Sequence, residues 1–170
     1  MLRRVRETAP VALVPLAWTF AALAHLELLA RHTAFVAHVV MTVVLVAFAA
    51  LSWRDMQAHP VLRAWLAVIV AGAGITLLGT YALATDAGET LLRATVFGWL
   101  LVPAVALVYT GVELPGDEAA WVYTVGGALS AVGAVAFLYG SLAGAALALP
   151  AIALAGVGQT AGIATAVLQY

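Results

Sequence analysis

The stretch LAVIVAGAGITLLGTYALA, residues 66–84, contains no charged side chain and decides the fold class. A helix needs about 20 mostly apolar residues to cross a hydrocarbon core of about 30 Å, and this stretch has that length. An uncharged apolar run of this kind is typical of a transmembrane helix. The sequence therefore predicts that the chain crosses a lipid bilayer here.

The whole chain has the composition of an integral membrane protein. Of its 170 residues, 65% are apolar and only 9% are charged, and the mean hydropathy is +1.10. A soluble domain carries about 25% charged residues, which cover its surface. Seven arginines and eight acidic residues would leave most of a soluble surface of this size bare, so the lipid bilayer is the expected surrounding.

Polar interruptions divide the chain into six predicted spans, which form one all-α transmembrane helical bundle with short loops over residues 1–170. The predicted spans are 9–30, 33–53, 61–84, 90–112, 119–141 and 145–168. The fifth connection, around GSLAG at 140–144, is marked only by its glycines. A bundle of five spans with one long or broken helix is therefore the alternative.

The distribution of arginines predicts the orientation in the membrane. Five arginines fall on one side of the six-span arrangement (Arg3, Arg4, Arg6, Arg54 and Arg63), and two fall on the other (Arg31 and Arg93). Positively charged loops stay on the cytoplasmic side. We therefore expect both termini in the cytoplasm and a location in the cytoplasmic membrane of a prokaryote.

The residue types that are missing exclude several function classes. The chain has no cysteine, lysine or asparagine, so disulfides, thiolate metal sites and a retinal Schiff base are impossible. Its net charge of −1 argues against nucleic acid as a partner. No HExxH, GxSxG or Walker-type GK[ST] motif occurs, so we expect neither catalysis nor a metal site.

One polar cluster, AHLELLARHTAFVAH at residues 24–38, interrupts the apolar pattern. If the turn is centred near Arg31, His25 and His38 lie at equal depth on antiparallel neighbouring helices. Such a pair is a candidate for binding one haem b or for relaying protons. The alternative is a structural histidine that hydrogen-bonds a backbone carbonyl or a hydroxyl such as that of Thr42.

The same cluster contains a candidate ion pair. Glu27 and Arg31 are four residues apart, the spacing at which opposite charges pair on one helix face. With His32, these residues are also what an outer loop and its flanking turns would carry, so the pair predicts little about function.

The two halves of the chain echo each other in the same order. LVP at 13–15 recurs at 101–103, VAF at 46–48 recurs at 135–137, and AGAGIT at 71–76 resembles AGVGQT at 155–160. Because each half would have three spans, the halves would have opposite orientations in the membrane. This is the 3+3 inverted repeat on which many transporters are built.

If the repeat is real, the third and sixth spans meet near the symmetry axis and place Thr76, Gln159 and Thr160 along a substrate pathway. Prolines at positions 15, 103 and 150 add kinks, each of which releases a backbone carbonyl. The leading hypothesis is therefore a small transporter or channel-like protein. The alternatives are the haem or proton-relay redox subunit and a non-catalytic accessory subunit of a membrane complex.

Small residues predict close helix contacts. Gly140 and Gly144, and Gly158 and Gly162, have the GxxxG spacing, which allows two helix backbones to approach. We expect these glycines to serve packing within the bundle, with a homo-oligomer or a membrane partner subunit as the alternative.

Overall fold

Six α-helices make up the computed structural model, which describes residues 2–85, 88–116 and 118–169, with side chains from residue 11 to 168. The helices are α1 (Leu2–His25), α2 (Arg31–Met56), α3 (Pro60–Thr85), α4 (Glu89–Glu113), α5 (Ala120–Ala143) and α6 (Ala148–Gln169). The predicted all-helical bundle is confirmed.

Five of the helices, α2 to α6, are long and apolar enough to cross a membrane, and α1 carries a shorter apolar stretch, Val11–His25. Lipid supplies no hydrogen-bond partners, so helices, which pair most of their backbone groups internally, are suited to cross it. The chain is a multi-pass integral membrane protein. Most predicted span ends agree with the helix ends to within three residues.

The first connection begins earlier than predicted. Helix α1 ends at His25 instead of near Ala30, and the turn occupies residues 26–30. Glu27 has a positive φ of 58°, the left-handed conformation that non-glycine residues rarely adopt and that ends a helix. This shift of five residues changes the relation between the histidines that flank the turn.

Glycine ends α5 and explains the fifth connection. Gly144 has a φ of 69° and donates its backbone N–H to the carbonyl of Gly140, which caps the helix. The following residues separate two helices, so the chain does not form one long fifth span. Helix α6 begins at Ala148, three residues later than predicted.

The helices pack in the order α2, α3, α4, α5, α6, α1, and α4 also touches α6. In the part of the chain that the structure describes, the main neighbour of α1 is α6 and the main neighbour of α2 is α3. Residues 26–30 join α1 to α2, whose described residues form no substantial interface with each other. We call this end of the bundle the 26–30 end and the opposite end the 57–59 end.

The predicted small-residue ridges lie mainly against helices of the same chain. A Cβ on Gly126 would lie 2.5 Å from the carbonyl oxygen of Gly158, so α5 and α6 touch backbone to backbone. Gly162 faces Leu107 of α4, and Gly140 faces the α5–α6 connection. These contacts are the packing within one bundle that the spacing predicts; a partner subunit stays a prediction.

Candidate functional site

The polar centre of the bundle is the side-chain amide of Gln159 on α6, which is 5% exposed. Its Oε1 accepts the indole N–H of Trp18 on α1 at 3.1 Å. Its Nε2 donates to the backbone carbonyl of Trp99 on α4 at 3.1 Å and to Ser130 Oγ on α5 at 2.8 Å. One amide therefore ties α6 to three other helices.

A proline explains why Trp99 offers a free carbonyl in the middle of a helix. Pro103 lies four residues after Trp99 and has no backbone N–H, so the normal helical bond to the Trp99 carbonyl is missing. Gln159 supplies the missing donor. The sequence predicted a released carbonyl at this proline, and the structure identifies its partner.

Ser130 completes the arrangement. Its hydroxyl is fully buried, accepts from Gln159 and donates to the carbonyl of Leu100 at 2.8 Å. Both N–H groups of the Gln159 amide are thus used inside the protein. A solute that accepted a hydrogen bond from this amide would first have to displace Trp99 or Ser130.

The network continues to α3 through the side chain of Trp99. Its indole N–H donates to Thr76 Oγ1 at 3.1 Å, while its backbone carbonyl accepts from Gln159. Hydrogen bonds therefore connect α1, α6, α5, α4 and α3. The indole N–H groups are satisfied by this network, as buried indoles require.

The residues of the predicted pathway are only partly brought together. Helix α3 does not pack on α6, because α4 lies between them and carries Trp99, which contacts both Thr76 and Gln159. Thr160 is separate from the network. Its hydroxyl oxygen is buried and has no hydrogen-bond partner among the described residues.

Two contacts between helices are built alike, each from an indole side chain that lies against a glycine. We call them the indole–glycine joints. A Cβ on Gly72 of α3 would collide with the indole of Trp99 from α4. A Cβ on Gly156 of α6 would lie 3.3 Å from the Cβ of Trp18 from α1. Gly72 and Gly156 hold the same position in AGAGIT and AGVGQT, and each indole also bonds a side chain within about one turn of its glycine.

The two candidate haem ligands lie at different depths. His25 is the last residue of α1 and is exposed, whereas His38 is seven residues inside α2, about 10 Å along the helix. The expected equal depth therefore does not hold, because the turn is centred near residue 28. The helices that carry these histidines do not pack together either.

His38 is held in a slot on the neighbouring helix. Its Nδ1 lies 2.9 Å from the carbonyl oxygen of Ala34, and because a carbonyl only accepts, Nδ1 carries the proton in this bond. A Cβ on Gly79 of α3 would lie 2.9 Å from His38 Nε2, so this ring fits only because Gly79 has no side chain. The Thr42 hydroxyl donates to the His38 carbonyl at 2.8 Å.

These surroundings do not fit a haem held between His25 and His38. Nε2 of His38, the atom left to bind iron, lies against the backbone of α3 at Gly79. No described helix brings His25 opposite to it. Among the described residues, no group of three or more His, Asp or Glu side chains is arranged for a metal ion.

Arg31 forms hydrogen bonds with the C-terminal turn of α3. Its Nε and Nη2 donate to the carbonyls of Leu83 and Ala82, both at 3.1 Å. These carbonyls belong to the last turn of α3, where helical partners are missing and the helix dipole is negative. Glu27 lies in the turn and not on α2, so it lacks the helical i,i+4 relation to Arg31 that the spacing suggested.

Two surface cavities flank the bundle. One, of about 370 Å³, lies at the 26–30 end and is lined by residues of α2 and α3: Arg31, His32, Phe35, Leu83 and Ala84. The other, of about 400 Å³, lies between α1 and α6 near the 57–59 end and is apolar: Val11, Ala12, Ala164, Val167 and Leu168.

No protein-family model, curated protein or solved structure matches this chain. Sequence reasoning singled out Gln159 but missed Trp18, Trp99 and Ser130 as its partners. The available signal was chemical, since an indole N–H or a hydroxyl inside a bilayer needs a partner, but helix neighbours were unknown.

Proposed function

We propose that the protein is a small transporter built from two inverted three-helix repeats and that α1 is its moving part. The observation that carries the proposal is the pair of indole–glycine joints. Trp18 on Gly156 and Trp99 on Gly72 join the first helix of each half to the third helix of the other half. This exchange is what a two-fold axis between the halves produces.

Helix packing adds to this support. The α2–α3 interface corresponds to the α5–α6 interface, and the α1–α6 joint corresponds to the α4–α3 joint. The sequence match at LVP would align Trp18 with Ala106 instead of Trp99, a difference of seven residues. Seven residues are about two turns, so the indole stays on the same helix face.

The two halves differ in one respect. Helix α4 packs on α5 and touches α6, whereas the corresponding α1 packs substantially on neither α2 nor α3. In an alternating-access transporter one part of the bundle moves against the rest around the binding site. We infer that α1 closes against α2 and α3 in the second state, while α4 stays packed on α5.

Thr160 supplies a polar group at the α1–α6 joint, which opens when α1 moves. It is four residues after Gly156, which faces Trp18, so it lies on the α1 side of α6. A buried hydroxyl without a partner calls for an explanation, and contact with a passing solute provides one. We infer that the solute is small and uncharged, because among residues 11–168, whose side chains are described, no Asp or Glu lies more than one residue inside a helix end.

Distance measurements test the motion of α1. The chain has no cysteine, so spin labels attach only at introduced cysteines. Leu13→Cys on α1 with Val46→Cys on α2 should give two distance populations, since both side chains are exposed. The control pair, Val105→Cys on α4 with Val132→Cys on α5, should give one distance population under the same conditions.

Flux measurements test transport itself. Stopped-flow light scattering of proteoliposomes under a glycerol or urea gradient should show protein-dependent flux. Thr160→Val should lower this flux about fivefold, the equivalent of one hydrogen bond of about 1 kcal/mol. The matched control, Thr124→Val at an exposed position of α5, should leave it unchanged. A single α1–α2 distance together with no flux of either solute would refute the proposal.

A further inference from the structure

His38 is the ionisable side chain that lies farthest inside a helix in the described part of the chain. Every other described ionisable side chain lies in a connection or within four residues of a helix end, and His38 lies seven residues inside α2. Ionisable groups at such positions are costly in a bilayer and commonly serve ion or proton movement. We propose that His38 is a proton-binding site, reached along the α2–α3 seam from the 26–30 end.

One nitrogen of the His38 ring is free to accept a proton. Nδ1 already donates its hydrogen to the Ala34 carbonyl of the same helix. In a neutral imidazole the other nitrogen then has a free lone pair, so Nε2 is the proton acceptor. The slot at Gly79 holds this nitrogen at the α2–α3 interface and away from lipid.

A cavity brings water close to the His38 ring. The cavity of about 370 Å³ at the 26–30 end extends along the same seam as far as Phe35 on α2 and Leu83 on α3. Phe35 is three residues from His38, and Leu83 is four residues from Gly79, so the cavity ends about one turn from the ring. A hydronium ion in the cavity transfers its proton to Nε2, directly or through a water, and leaves as water.

Thr95 of α4 forms another wall of the slot. Nε2 of His38 and the Cγ2 methyl of Thr95 lie 2.9 and 3.0 Å from the same point, the Cβ position of Gly79. The Thr95 hydroxyl donates instead to the carbonyls of Leu91 at 2.9 Å and of Ile75 at 3.5 Å. The partner of a protonated Nε2–H is therefore a water from the cavity.

Few described charged groups lie near the His38 ring. Helix α3 presents Gly79 and α4 presents Thr95 to it, and neither is titratable. The nearest titratable or charged groups on the three helices are Arg31 and His32 at the cavity mouth, Tyr81 two residues beyond Gly79, and the exposed Glu89–Arg93 pair. That the bound proton drives transport rests on the transport proposal, whereas the proton site itself does not.

Nuclear magnetic resonance of the full chain with ¹⁵N-labelled histidine tests the site, using the proton as the probe. His38→Gln assigns the ring signals, and His59→Gln, in an exposed connection, is the control that leaves them in place. We expect the neutral His38 ring to show the Nδ1–H tautomer and to gain a proton on Nε2 as the pH is lowered.

Two results would overturn the proposal. One is an Nε2–H tautomer of the neutral ring, and the other is a ring that gains no proton at any pH at which the protein stays folded.

The α1–α2 spin-label distances separate this proposal from the transport proposal. They are recorded at a pH where the His38 ring is neutral and at a pH where it carries the proton. Distances that change with pH in the parent chain and not in His38→Gln support both. A His38 ring that gains a proton on Nε2 while the α1–α2 pair keeps one distance supports the proton site and counts against the moving α1.

Discussion

Replacing Gln159 by leucine removes an amide that makes three hydrogen bonds to other helices. The variant leaves two buried groups without partners, the indole N–H of Trp18 and the carbonyl of Trp99, whereas Ser130 keeps its bond to Leu100. An unpaired buried polar group costs about 1–3 kcal/mol in soluble proteins, and hydrogen bonds within bilayers average about 0.6 kcal/mol. We therefore expect Gln159→Leu to lower the free energy of unfolding by about 2–4 kcal/mol.

The measurement is equilibrium unfolding in mixed micelles with increasing dodecyl sulfate, followed by far-ultraviolet circular dichroism. The matched control is Gln57→Leu, because Gln57 is exposed at the C-cap of α2. This control should change the free energy of unfolding by no more than about 0.5 kcal/mol.

A second substitution tests the assigned reason. Pro103→Ala restores a backbone N–H for the Trp99 carbonyl, so Gln159→Leu should cost at least about 1 kcal/mol less in that background. An equal cost in both backgrounds would refute the idea that Gln159 compensates for the proline. A cost below about 0.5 kcal/mol in the parent chain would refute the network as a source of stability.

Three further predictions concern packing and helix ends. Gly126→Ala places a Cβ against a carbonyl of α6 and should lower the free energy of unfolding by about 1–3 kcal/mol in the same assay, whereas Gly74→Ala, with nothing within 4 Å, should not lower it. Arg31→Met removes two bonds to the last turn of α3 and should speed amide hydrogen exchange there, while Arg54→Met at an exposed site should not. Trp18→Phe should loosen α1 alone, seen as a broader α1–α2 distance distribution with an unchanged α4–α5 distance; broadening of both would contradict the assigned contact.

The number and placement of the helices could be predicted because bilayer thickness sets helix length and charges mark the connections. The first turn could not be placed correctly. Its position depends on Glu27 adopting a left-handed conformation, which nothing in the residue type requires. That one turn altered the inferred relation of His25 to His38.

The partners of Gln159 could not be predicted for a different reason. Trp18 lies 141 residues away, and α1 packs on α6 instead of on the helix that follows it. Lipid is as apolar as leucine, so the apolar pattern does not indicate which helix faces touch. The chemical need was readable at Pro103 and Gln159, but the match between them required the helix neighbours to be known.

The dependence of α1 on α6 also constrains how the protein is made. Helix α1 enters the bilayer before α6, yet the amide that receives its indole belongs to α6. Until that helix arrives, the Trp18 N–H and the carbonyl released at Pro103 both lie in the bilayer without this donor or acceptor. These two polar groups therefore stay unpaired with Gln159 until α6 packs on α1 and α4.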